Sequence, residues 1–225
     1  MTKEEIRARI EEIGIIPALR VHSAEDALFA AEAVCHGGIP IVEVTMTIPG
    51  AIQVIHELTR QNPEIIVGAG TVLDVETAHR CLDAGASFIT STVLDLEIVN
   101  FVLKRSMVVF PGACTPTEVL TAWRAGSDFV KIFPCSAMGG PGYIRALKAP
   151  FPRIPMIAGG GVNQQTAAEF MLNGAAAVGI GGDLIHRDAI ERRERGWIVE
   201  LARRYIAQVN KARSQLIPQG RESRL

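Results

Sequence analysis

Aromatic residues are scarce in this 225-residue chain, at 5% of positions. Platforms that stack single-stranded bases depend on such rings, so that class of partner has little support. An excess of one charge is missing too. Lys and Arg number 23 against 24 Asp and Glu, a formal net charge of -1. With no basic surplus there is no electrostatic case for a nucleic acid or a membrane surface. No apolar run reaches the roughly 18 residues of a membrane span. The four cysteines, Cys35, Cys81, Cys114 and Cys135, lie far apart and form no C-x-x-C pair. That spacing fits reduced thiols in a cytoplasm better than a disulfide frame or a zinc site. The opening stretch MTKEEIRARIEEIG is charged and lacks the apolar core of a signal peptide. His22, His36, His56, His79 and His186 are scattered, with no H-x-H or H-x-x-x-H spacing. No G-x-S-x-G supports a serine triad, and no G-x-G-x-x-G follows the first strand. Neither a metal nor a cofactor is expected.

What is present is enough apolar material for one large core, at 48% hydrophobic and 21% charged residues. Ile6, Ile10 and Ile13 share one face of a helix over residues 2–13, and Gly14 stops it. A unit then recurs in which a short apolar run precedes a helical pattern. The runs are 15–20, 41–45, 65–70, 88–90, 107–110, 129–133, 155–158 and 176–180. The helices begin at Ser23 and cover about 50–60, 75–84, 94–105, 117–125, 143–148 and 164–173, followed by a helical C-terminal segment. Alternating strands and helices imply a parallel sheet. Eight such units in this length imply a closed (β/α)₈ barrel with an extra leading helix. A doubly wound open sheet is the alternative fold. The expected organisation is a single domain over residues 1–214 with a loose tail over 215–225.

The anchor is Phe129-Val130-Lys131-Ile132-Phe133-Pro134, a buried strand with a lysine at its middle. Burial disfavours the ammonium form, and a neutral amine is what attacks a ketone to form a Schiff base. The bland reading is a lysine whose stem is buried while its head reaches water. Glu43, inside Ile41-Val42-Glu43-Val44-Thr45, is the second anomaly. A carboxylate there is costly unless paired, and Arg20 or Lys131 could pair it. It could also carry protons to a reacting carbon. Barrel chemistry gathers at the C-terminal ends of strands. That rule selects Arg20, Thr45, Thr71 and Pro111 as candidate substrate-binding residues. Arg20 is the natural anion clamp. Gly159-Gly160-Gly161 and Gly181-Gly182-Asp183 follow the last two strands. Glycines let backbone N–H groups approach an anion, so Gly160, Gly161, Gly181 and Gly182 are candidate phosphate-binding residues. Cys114 follows the fifth strand, where a packing role outweighs a nucleophilic one.

Together these residues carry a resemblance. Val42-Glu43-Val44-Thr45, Val67-Gly68-Ala69-Gly70-Thr71, Pro111-Gly112, Val130-Lys131-Ile132-Phe133-Pro134 and Ile180-Gly181-Gly182 resemble the class I aldolases that cleave 2-keto-3-deoxy-6-phospho sugar acids. The likeness runs from about Ile16 to His186. It implies that Lys131 forms the Schiff base, that Glu43 moves protons through a water, and that Thr71 meets the pyruvyl carboxylate or its water. It implies a phosphorylated keto acid as substrate, pyruvate and glyceraldehyde 3-phosphate as products, and a homotrimer. One departure stands out. Gluconate-type enzymes usually carry an arginine four residues after the glutamate, where this chain has Thr47. Arg20, Thr47 and Asp183 resemble the galactonate type more closely, and Arg20 then takes the carboxylate. The other functions kept open are an aldolase for non-phosphorylated acids such as 4-hydroxy-2-oxoglutarate, and a non-catalytic sugar-phosphate-binding barrel.

Overall fold

The computed structural model describes residues 1–216. The helix α1 (Lys3–Ile13) precedes β1 (Ile15–Leu19), α2 (Ala24–His36), β2 (Ile41–Thr45), α3 (Ala51–Gln61), β3 (Ile66–Gly70), α4 (Val75–Asp83), β4 (Phe88–Thr90) and α5 (Leu96–Leu103). The chain continues through β5 (Val108–Phe110), β6 (Gly112–Ala113), α6 (Pro116–Arg124), β7 (Val130–Ile132), α7 (Pro141–Lys148), β8 (Met156–Gly159), α8 (Ala167–Leu172), β9 (Ala177–Ile180), α9 (Arg187–Glu191) and α10 (Arg195–Leu216).

All strand pairs are parallel, in the order β5-β4-β3-β2-β1-β9-β8-β7-β6. The two ends of that order are one stave, interrupted at Pro111. Proline has no N–H to carry the ladder on. The fifth stave, expected over 107–110, therefore continues past Pro111 as a second short piece, β5 pairing with β4 and β6 with β7. The seam is closed by the Asp128 N–H donating to the Val109 carbonyl at 3.0 Å and the Lys131 N–H to that of Pro111 at 2.9 Å. The result is an eight-stave closed barrel ringed by helices. Every residue of β1 to β8 is buried, as expected of a parallel sheet covered on both faces.

The leading helix starts with a capping box between Thr2 and Glu5 and ends at Gly14 with φ 69°. It packs against β1, β5 and β9, with Ile6 and Ile10 buried. Lys3 pairs with Asp128 at 3.0 Å, and Asp128 also accepts the Val109 N–H at 2.9 Å. Arg213 of α10 donates to the carbonyls of Glu11 and Glu12. The end of the barrel away from the strand C-termini is thereby covered.

Three helix starts or breaks differ from the pattern in the sequence. Asp95 caps α5 by accepting the N–H groups of Glu97 and Ile98, so α5 begins after it. Asn163 Oδ1 accepts from the N–H of Gln165 and Thr166 at 3.0 and 3.1 Å, and this local turn delays α8 to Ala167. Arg193, at φ 54°, separates α9 from α10. The last helix includes Gln215 and Leu216. The remainder of the expected tail, residues 217–225, lies outside the described residues. Among the described residues no helix is long and apolar enough to cross a membrane.

Inside the barrel the Phe88 ring stacks on Phe110 at 5.1 Å, and Phe110 meets Phe129 edge-on at 6.0 Å. The Phe88 ring fills the space a side chain on Gly68 would need. Phe88→Ala is expected to cost about 3–5 kcal/mol, read as a lower urea midpoint at unchanged slope. An unchanged midpoint would show that this ring does not support the barrel interior.

Candidate active site

Glu43 sits at the centre of β2 and Lys131 at the centre of β7. With β5 and β6 counted as one stave, four steps separate β2 from β7 around the eight-stave ring in either direction. They are opposite walls. Two long side chains pointing inward from opposite walls meet on the barrel axis. Lys131 Nζ lies 3.2 Å from Glu43 Oε2 and 3.5 Å from Oε1. The residues are 4% and 2% exposed, so the pair has almost no solvent. Lys131 therefore does not send its head to water, and it is Lys131, not Arg20, that pairs with Glu43.

A cavity opens beside this pair at the C-terminal ends of β1, β8 and β9. Glu43 and Lys131 line it together with Arg20, Phe133, Gly160, Gly161, Gly181, Gly182 and Asp183. Arg20 is exposed and in no ion pair among the described residues. Its guanidinium stands 6.0 Å from the centre of the Phe133 ring, and Lys131 Nζ is 5.9 Å from the same centre. The N–H groups of Gly160, Gly161, Gly181 and Gly182 donate to no acceptor among the described residues. Gly160 and Gly161 have φ of 84° and 83°, left-handed values that glycine takes without strain. One wall of the cavity thus carries open donors, beside a free guanidinium and the Asp183 carboxylate.

The other expected residues stand outside this lining. Thr45 is fully buried, and its hydroxyl donates to the Leu19 carbonyl at 2.7 Å and lies 2.9 Å from the Thr47 hydroxyl. Thr71, at φ 57°, follows β3 and is not among the residues that line this cavity. Pro111 lines a neighbouring small cavity with Thr90 and Ser91, and its carbonyl holds the Lys131 backbone. Phe133 was not among the sequence candidates. It is two residues beyond Lys131, and strand alternation puts both on the inner face, so a signal was available.

Lys148 is a second lysine out of full contact with solvent, half-buried where Lys131 is buried. Desolvation lowers the Lys148 ammonium from its ordinary value. That side chain donates to the carbonyls of Pro152 and Ile154, both at 2.9 Å, and it lines no part of the cavity. No three His, Cys, Asp or Glu side chains converge among the described residues.

A family model described as KDPG and KHG aldolase matches residues 6–201. The chain belongs to that family. A 2-dehydro-3-deoxy-phosphogluconate aldolase from Pseudomonas aeruginosa strain PAO1 is 32% identical over 172 residues, 75% of this chain and 78% of that protein. A 2-dehydro-3-deoxy-6-phosphogalactonate aldolase from Escherichia coli K12 is 36% identical over 172 residues, 76% of this chain and 83% of its own. Among solved structures, a KDPG aldolase from Legionella pneumophila, with pyruvate captured at low pH as a covalent carbinolamine, shares the fold. Its TM-score is 0.82 at 31% identity, covering 88% of this chain and 96% of that one. As a member of the KDPG and KHG aldolase family, the protein is a carbon–carbon lyase.

Two of the four thiols are shielded. Burial, and the neighbouring Cys114, push the Cys135 thiol up to about 12, and its Sγ faces the Gly140 carbonyl at 3.8 Å. Burial likewise pushes Cys81 up to about 12. Cys35 and Cys114 are only half-buried. A thiol reagent at mildly alkaline pH should label Cys35 and Cys114 in the native protein, and Cys81 and Cys135 only after denaturation. Rapid native labelling of Cys135 would contradict its placement behind the cavity.

Proposed function

We propose that the chain is a class I aldolase that cleaves a 2-keto-3-deoxy-6-phospho sugar acid to pyruvate and glyceraldehyde 3-phosphate. The observation that carries this reading is the buried Lys131–Glu43 pair, 3.2 Å apart, on the wall of an otherwise glycine-rich cavity. The hydrogen bond between them is a direct proton path. Moving one proton from Nζ to the carboxylate leaves a free amine and a carboxylic acid. The amine attacks the C2 ketone of the substrate, and loss of water gives an iminium. Glu43, ionised again, takes the C4 hydroxyl proton. The C3–C4 bond breaks, its electron pair passes to the iminium as an enamine, and the aldehyde leaves. Glu43 returns the proton to C3, and water releases pyruvate and Lys131. Positioned acid–base help of this kind is worth about 10²–10⁴-fold.

Arg20 is the one guanidinium on the cavity wall among the described residues, and we assign it to the substrate carboxylate. Thr47, held against Thr45, occupies the position where gluconate-type relatives carry arginine, which favours the galactonate-type substrate. The open N–H groups of Gly160, Gly161, Gly181 and Gly182 suit the phosphate, whose charge prefers unpaired backbone donors. They favour a phosphorylated acid over 4-hydroxy-2-oxoglutarate. Thr71 is assigned to the pyruvyl end, to the carboxylate or its water. A homotrimer is part of the proposal. Leu73, Val93, Leu96 and Met138 are exposed apolar side chains at the same end of the barrel as the cavity, a surface that a subunit contact would cover.

The test is pyruvate release from each C4 epimer of the phosphorylated acid. The native chain should release pyruvate, with the galactonate epimer the faster substrate. A folded Lys131→Ala variant should release it from neither epimer. Cleavage by that variant at a near-native rate would refute the assignment.

A further inference from the structure

Strand β3 presents Gly68 and Gly70, two residues apart, on one face. Neither has the left-handed φ that calls for glycine, so the backbone accepts alanine at both. What excludes a side chain is the neighbour. At Gly68 it is the Phe88 ring, part of the core. At Gly70 it is Glu43. A Cβ on Gly70 would overlap the Glu43 carboxylate and lie 2.5 Å from its Cγ. Across the barrel, a Cβ on Gly159 would come within 3.3 Å of Lys131 Cε. Such a contact is relieved by a small movement of a flexible chain. The Gly70 conflict is not, because Glu43 is already held on its other side by Lys131 at 3.2 Å. The Gly70 carbonyl accepts the Met46 N–H at 2.8 Å, which ties β3 to the end of β2 and keeps the two residues in register.

We propose that Gly70 is a positioning residue for the reaction: its missing side chain is the socket that keeps the Glu43 carboxylate within proton-transfer distance of Lys131. It touches no reacting atom and acts only through Glu43, so this inference rests on the proton-carrying role assigned to Glu43 above. A methyl group at position 70 displaces the carboxylate from Nζ. The proton steps then suffer more than formation of the Schiff base, for which a lysine on the cavity wall is enough.

Two measurements test it. The first is exchange of pyruvate methyl protons with deuterated water, followed by NMR, in the native chain, Gly70→Ala, Glu43→Gln and the double variant. Gly70→Ala should slow exchange on the order of 10²-fold, the scale of a 1 Å misplacement, while borohydride still traps pyruvate on the protein. In the Glu43→Gln background the same change should alter the residual rate by no more than about 2-fold. The second measurement is thermal unfolding. Gly70→Ala should lower the midpoint in the native background but not in Glu43→Ala, which removes the atoms that the new Cβ would meet. Native-rate exchange in Gly70→Ala, or an equal loss in both backgrounds by either measurement, would overturn the socket and leave the role of Glu43 standing. Native-rate exchange in Glu43→Gln alone would overturn both.

Discussion

The structure depends on one ion pair that has almost no water. At 3.2 Å and an effective dielectric near 20, the attraction between Lys131 and Glu43 is about 5 kcal/mol. Desolvating each ion costs several kcal/mol. The pair therefore contributes little net stability, and apolar side chains of the same size would fill the barrel as well. What the pair supplies is an amine and a proton acceptor fixed against each other. A closed ring makes that possible. Opposite walls of an open sheet do not face each other, whereas β2 and β7 do. The Pro111 seam, whose carbonyl holds the Lys131 N–H, completes the ring beside the lysine.

Around this pair the cavity is divided by chemistry. The inner part holds the Lys131–Glu43 pair and the Phe133 ring, which is close to both Lys131 and Arg20. The outer part is backbone, from the two loops that follow β8 and β9. Glycine there removes side chains between the N–H groups and an incoming anion. Glycine inside the barrel has the opposite use, since Gly68 and Gly70 make room for other residues of the protein. The cavity's polar side chains are thus few and its glycines many, because much of its shape comes from omitted side chains.

Much of this was legible in the sequence. The eight strand–helix units follow from apolar runs and helix periodicity. Lys131 and Glu43 were conspicuous because charge inside an apolar run has a cost that only pairing or function offsets. The glycine loops were conspicuous by their position. Thr45 lies on the same strand face as Glu43, two residues on, and what the sequence does not carry is the carbonyl its hydroxyl finds. Its hydroxyl turns to the Leu19 carbonyl, not to the cavity. Pro111 was placed among substrate-binding residues because it ends a strand. The ring closure that makes it a seam is a long-range property. Phe133 carries no anomaly of residue type, as an apolar residue in an apolar run, and only its spacing of two from Lys131 marks it. The late start of α8 depended on an Asn163 turn, which outcompeted helix pattern over three residues.

The central claim is that geometry, and not the lowered ammonium of Lys148, selects Lys131 as the reacting lysine. The chain has five lysines, the others being Lys3, Lys104, Lys148 and Lys211. Reduction with borohydride in the presence of pyruvate, followed by digestion and mass spectrometry, reads out which of them forms the iminium. The account predicts one reduced adduct, on the peptide that carries Lys131. An adduct on Lys148, or none on any lysine, would contradict it.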